Sequence, residues 1–173
     1  MRHRQRFAMA VSALVVGMAF SMPVLAQGQF KTELGGFAEV PAISSSGSGE
    51  FVATVGGGMI QYTLSYADLA TDVLQAHIHL GTAGTNGGVS VFLCTNVGGP
   101  AGTPACPPSG GSVNGVIGAD DVIGPSGQGI DPGEFDEVLA ALHAGVTYVN
   151  VHTAAFPAGE IRGQLGRGFG NQP

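Results

Sequence analysis

Ala76-His77-Ile78-His79-Leu80-Gly81 is the stretch from which the fold is read. Side chains of a β-strand alternate between two faces, so His77 and His79 leave the same one. Leu74, Ala76, Ile78 and Leu80 hold the other parity and are all apolar. That pattern predicts a strand whose even-numbered residues face a core. Val73, Gln75, His77 and His79 are expected to point away from it. Two imidazoles about 7 Å apart along one strand can share a small ligand or one metal ion. They can equally be two solvated histidines.

Outward from this strand the chain reads as short strands separated by turns. Gln29 to Leu34 predicts a first strand, ended by Gly35-Gly36. Phe51, Ala53 and Val55 alternate, and so do Ile60, Tyr62, Leu64 and Tyr66. With Gly56-Gly57-Gly58 between them, the two runs predict a hairpin. Further strands are expected at Val89 to Cys94, Ser112 to Ile117, Tyr148 to His152 and Glu160 to Leu165. The last two are joined by six residues, too few for a parallel crossover, so they should pair antiparallel. One segment changes period. Phe135, Val138, Leu139 and Leu142 fall at helical spacing, with acidic residues at the start and His143 and Gly145 at the end. Strands in this order, plus one short helix, indicate an all-β Greek-key sandwich or barrel.

The first 26 residues are expected to stand outside that fold. Arg2, Arg4 and Arg6 precede an apolar run from Phe7 to Phe20, and Val24 and Ala26 end a small-residue site before Gln27. This is the pattern of a signal peptide. An uncleaved anchor is the alternative, although the run is short of the roughly 20 residues a span needs. Residues 27–173 then form one domain, in a protein expected to be secreted or periplasmic. Cleavage leaves Lys31, Arg162 and Arg167 against all twelve acidic residues, so the mature charge is 3 − 12 = −9 with histidine neutral. A surface this acidic repels phosphate backbones, which argues against nucleic acid as a partner. Cys94 and Cys106 are the two cysteines, and in an exported chain such a pair reads as a disulfide.

The parity argument extends to the last strands. Val149 and Val151 form one face of theirs, leaving Asn150 and His152 on the other with Tyr148. Ile161 and Leu165 face inward, leaving Glu160, Arg162 and Gln164 outward. If these strands are neighbours of the histidine strand, then His77, His79, His152, Asn150, Glu160 and Arg162 share one polar face. As a metal site, the three histidines would be ligands for copper or zinc, with Asn150, Glu160 and Arg162 behind them or along the face. As a structural feature, the same residues would form a hydrogen-bonded polar face without an ion. A ligand role requires neutral imidazoles, so binding is expected to strengthen as pH rises through about 6–7. His143 reads as a helix-end residue. No Gly-x-Ser-x-Gly elbow, phosphate loop or HExxH is present, and Asp120, Asp121 and Asp131 fit no EF-hand spacing.

Five segments together resemble the CHRD domain, which is repeated in the extracellular protein chordin. They are Gly36-Phe37-Ala38-Glu39-Val40-Pro41, Ala76 to Gly81, Gly84-Thr85-Asn86-Gly87, Tyr148 to Thr153 and Pro157 to Leu165. The resemblance implies an immunoglobulin-like or superoxide-dismutase-like barrel, and it implies no particular activity. Chordin binds growth factors, but that role does not transfer to a lone domain. The HxH strand and the later Val-His strand also resemble copper/zinc superoxide dismutase. No histidine lies between His79 and His143, however, so nothing can bridge two metals. The chain therefore reads as a binding or structural module for an unidentified protein or small ligand. A small mononuclear copper redox protein or enzyme is the alternative.

Overall fold

The β2–β3 hairpin shows how closely residue pattern and architecture agree. In a computed structural model, which describes residues 28–167, β2 (Ser48–Gly56) pairs antiparallel with β3 (Met59–Ala67). Gly57 and Gly58 form the two-residue turn with φ of +61° and +75°, the conformation that glycine adopts without steric cost. Phe51, Ala53 and Val55 point inward with Ile60, Tyr62, Leu64 and Tyr66, and all are buried. The signal segment expected at 1–26 lies outside the described residues.

The other strands are β1 (Gly28–Gly35), β4 (Val73–Leu80), β5 (Val89–Thr95), β6 (Gly111–Ile117), β7 (Thr147–Thr153) and β8 (Ile161–Arg167). Helix α1 spans Phe135–His143. All eight strands form one antiparallel sheet in the order β5-β4-β7-β8-β1-β2-β3-β6. The β3–β6 and β4–β7 neighbours are far apart in sequence, which makes the order a Greek-key one. The two outermost strands, β5 and β6, approach each other and leave the barrel nearly closed. No ladder joins them, and tyrosines help to bridge the seam. The Tyr62 hydroxyl donates to the Leu93 carbonyl on β5, and Tyr66 donates to the Pro107 carbonyl at 2.7 Å. Tyr62 pairs directly with Gly115 of β6. A Cβ there would fall 2.4 Å from the Tyr62 hydroxyl, so the ring reaches β5 only because position 115 has no side chain.

The barrel interior is filled by Phe30, Phe51, Ile60, Leu64, Ile78, Leu93, Ile161 and Leu165, among others. Helix α1 adds Phe135, Val138, Leu139 and Leu142, as its spacing predicts. It ends in a Schellman motif: Gly145 N–H donates to Leu142 O and Val146 N–H to Ala141 O. Strands β7 and β8 are antiparallel neighbours, as their short connection requires. The sulfurs of Cys94 and Cys106 stand at disulfide distance, 2.07 Å, closing the loop between β5 and β6.

Two expectations need correction. Val73 belongs to the core, whereas Leu74 is only partly buried. The β4–β7 ladder slips between Val73 and Gln75, and this irregularity resets the parity at the start of the strand. The last strand also begins at Ile161, so Glu160 belongs to the preceding turn.

Candidate metal centre

Strands β4, β7 and β8 are adjacent, and their outward residues form rows across the sheet. His77 stands opposite Asn150, which stands opposite Arg162; His79 stands opposite Tyr148, which stands opposite Gln164. The outward face is nevertheless dry. His77 is 4% exposed, His79 and His152 8%, Asn150 and Arg162 2%, and Glu160 is fully buried. Burying this much polarity is costly unless each group finds a partner. Three loops cover the face and supply most of the partners.

Arg162 fastens the loop after β4. Its guanidinium donates to the Thr85 carbonyl, to Asn86 Oδ1 at 3.2 Å and to Thr82 O at 3.5 Å. Asn86 in turn donates to Val40 O at 3.2 Å in the loop after β1. The Arg162 Cζ lies 3.3 Å from the Tyr148 ring centroid, and Tyr148 stacks on His79 at 4.7 Å and 4°. A ring has two faces, so Tyr148 separates cation from imidazole. Glu160 is turned to other work. It accepts from Ser45 Oγ at 2.6 Å, the Ala70 amide at 2.8 Å and Thr153 Oγ1 at 2.7 Å, tying the covering loops down rather than approaching the histidines. His143 packs edge-on against Phe30 at the end of α1, outside the cluster.

His77, His79 and His152 do converge. Each offers a ring nitrogen, and the three nitrogens lie within 4.8 Å of one another. His79 Nδ1 lies 3.0 Å from Gly87 O, and His152 Nδ1 lies 3.0 Å from Pro157 O. A carbonyl oxygen only accepts, so both Nδ1 atoms carry the proton and both Nε2 atoms keep a lone pair. His77 Nδ1 lies 3.1 Å from His152 Nε2, a lone pair, so in the metal-free protein His77 donates through Nδ1. Its Nε2 lies 3.1 Å from the Gln75 amide, whose nitrogen then donates to it. An ion would take the place of the Nδ1 proton, with the Gln75 amide reversed to accept from His77 Nε2–H. Two backbone carbonyls thus fix the His79 and His152 rings with their Nε2 lone pairs free. Carbonyl or carboxylate partners of this kind orient ligating histidines in metal sites. Metal–nitrogen bonds of 2.0–2.1 Å put tetrahedral ligand atoms about 3.3 Å apart. The 3.1 Å pair is close to that spacing, and the third nitrogen, within 4.8 Å of the others, would have to move closer to complete the set.

The surroundings keep the rings neutral. Burial lowers His77 to about 3, helped by repulsion from His152 and His79. Burial lowers His79 to about 4, against the opposing effect of Gly87 O and with repulsion from His152 and Arg162. His152 is lowered for the same reason, against the Pro157 carbonyl. Proton competition expected at pH 6–7 therefore moves well into the acid range for His77 and His79.

Glu39 is the residue that the sequence reading passed over as a site group. It is 7% exposed and accepts from Asn150 Nδ2 at 2.7 Å. Burial raises its carboxyl to about 7, against the attraction of Arg162 and the Asn150 hydrogen bond. It lies in an irregular loop 111 residues from Asn150, where no periodicity points to it. Parity assigns Gln75 and Tyr148 a face of their strands, and it carries no sign of an orienting or stacking role.

No curated protein and no solved structure matches the chain. The CHRD domain family model matches residues 30–165, which takes in every strand core and all three histidines. The chain belongs to the CHRD domain family.

Proposed function

We propose that this protein is an exported CHRD module that binds one transition-metal ion, copper or zinc, through His77, His79 and His152. The single observation that carries the reading is the convergence of three buried ring nitrogens, two of them on rings whose Nδ1 is held by a backbone carbonyl. Neutral imidazoles suit both metals. The basic and apolar leader and the Cys94–Cys106 pair support export to an oxidising compartment. A copper redox role has no such support, since no feature of the site favours two oxidation states.

Calorimetric titration of untagged protein with Zn(II) and Cu(II) tests the reading. One ion per chain is expected for wild type and for His143→Ala, with most affinity lost in His77→Ala and His152→Ala. Zinc at 100 times its Kd should also stabilise wild type by about 2.7 kcal/mol. If wild type binds no better than His77→Ala, the cluster is a hydrogen-bonded polar face and the module acts without a metal.

A further inference from the structure

The three histidines leave a four-coordinate ion one donor short, and one more buried acceptor belongs to the strand partner of His77. Among the described residues, His79 Nε2 and Asn150 Oδ1 are both buried without a hydrogen-bond partner. The first is a lone pair of the histidine cluster. The second belongs to the residue directly opposite His77 in the β4–β7 ladder, on the same face as His152 two positions along. Cross-strand partners of this kind have Cβ atoms about 5 Å apart, within side-chain reach of a common ion.

Asn150 is held as a ligand would need to be. Its Nδ2 is taken by Glu39, which identifies the other amide atom as the acceptor. The backbone of Gly159 closes over the amide. A Cβ at that position would fall 2.6 Å from Nδ2, 2.7 Å from Oδ1 and 2.7 Å from Glu39 Oε1. With φ of +132°, position 159 is also one that glycine tolerates and other residues resist. The amide is thus clamped with a buried carbonyl oxygen that no protein donor satisfies. Leaving such a group unpaired is a cost that an ion would remove.

We propose that Asn150 Oδ1 is the fourth donor of the metal site, and that Glu39 is its positioning carboxylate. This rests on the metal reading above. Glu39 fixes the amide through Nδ2 and brings a negative charge to a centre whose four donors are all neutral. Such a carboxylate behind a ligand is a recurring part of metal sites. A site with four protein donors has no open position, so the ion would serve to hold structure rather than to activate water. It would link β4 and β7 directly, and through Asn150 and Glu39 the loop after β1.

The test uses the full mature protein, Co(II) as the spectroscopic probe and Zn(II) for affinity. Wild type should give the visible bands of four-coordinate Co(II). Asn150→Ala should change those bands and weaken Zn(II) about 10- to 100-fold, and Glu39→Gln should weaken it about 10-fold. Asn150→Asp alone would set a carboxylate against Glu39, so it is made in the Glu39→Gln background, where the new glutamine amide can donate to one aspartate oxygen and leave the other for the ion. That double variant should bind Zn(II) more tightly than Glu39→Gln alone, and it is the second probe should Asn150→Ala fail to fold. If Asn150 merely braces Glu39, the double variant should bind no more tightly than Glu39→Gln. Asn150→Ala with wild-type Co(II) bands and Zn(II) affinity within threefold, beside a His77→Ala that has lost binding, would overturn the fourth donor and leave the three-histidine site standing. No binding by wild type would remove both.

Discussion

Replacing Glu39 with Gln in the metal-free protein should stabilise it at neutral and alkaline pH, and the gain should vanish in acid. Glu39 titrates near 7 in the folded protein because its carboxylate is buried, against an ordinary value of 4.5. Between those values the native state holds a proton that the unfolded chain releases. Stability therefore falls as pH rises from 4.5 to about 7, and the full penalty applies above that. The interval, at about 1.4 kcal/mol per pH unit, is worth about 3 kcal/mol. Gln keeps an acceptor for Asn150 Nδ2 and has no proton to lose. Glu39→Gln should then be more stable than wild type by about 3 kcal/mol at pH 8, and about equal at pH 4.5. The histidines contribute the opposite slope. His77 and His79 titrate near 3 and 4 in the fold and at 6.5 when free, so stability is lost as pH falls below 6.5. Both proteins share that loss, and their difference isolates Glu39. Urea unfolding in chelator across pH 4.5 to 8.5 measures it. An advantage of equal size at both ends, or a variant less stable at pH 8, would refute a buried carboxyl that titrates near 7.

Other perturbations test the parts that hold the face closed. Arg162→Lys removes the planar fork that reaches Thr82, Thr85 and Asn86 and should cost about 2–4 kcal/mol, with amide exchange rising first in 82–86; protection unchanged there would contradict the clamp. Gly115→Ala drives a methyl into Tyr62 and should cost about 1–3 kcal/mol by thermal unfolding, more than the roughly 1 kcal/mol expected for Tyr62→Phe. A variant as stable as wild type would mean that Tyr62 does not need the gap. Replacing Cys94 and Cys106 together with serine opens a loop of sequence separation 12, and the urea midpoint should fall by the equivalent of about 3 kcal/mol. An unchanged midpoint would show that the hydrogen bonds of Asn96 to Val73, and to Cys106 itself, already hold that loop.

Alternation made much of this barrel legible. Phe51 to Val55 and Ile60 to Tyr66 place one residue in two inside, and the sheet follows that register. The same rule on β4, β7 and β8 put the three histidines on one face before any neighbour was known, because side-chain parity is local to each strand. Parity fails where the ladder slips, as at Val73, since a slip depends on the partner strand. It is also silent on what covers a face. The polar rows of β4, β7 and β8 read as outward and are buried, because Arg162, Glu160 and Asn86 draw loops over them from positions with no period. The chemistry of the histidines depends on those loops more than on the strands. Gly87 O and Pro157 O decide which nitrogen of His79 and His152 bears the proton, and a backbone carbonyl is offered by any residue type. The side chains that can bind an ion are therefore legible in the sequence, whereas the nitrogen each presents is set by turns whose residue identities do not record it. A change in the Pro157 turn that moves its carbonyl would free the His152 ring to adopt either tautomer, and the site would lose a fixed lone pair with every ligand residue still in place.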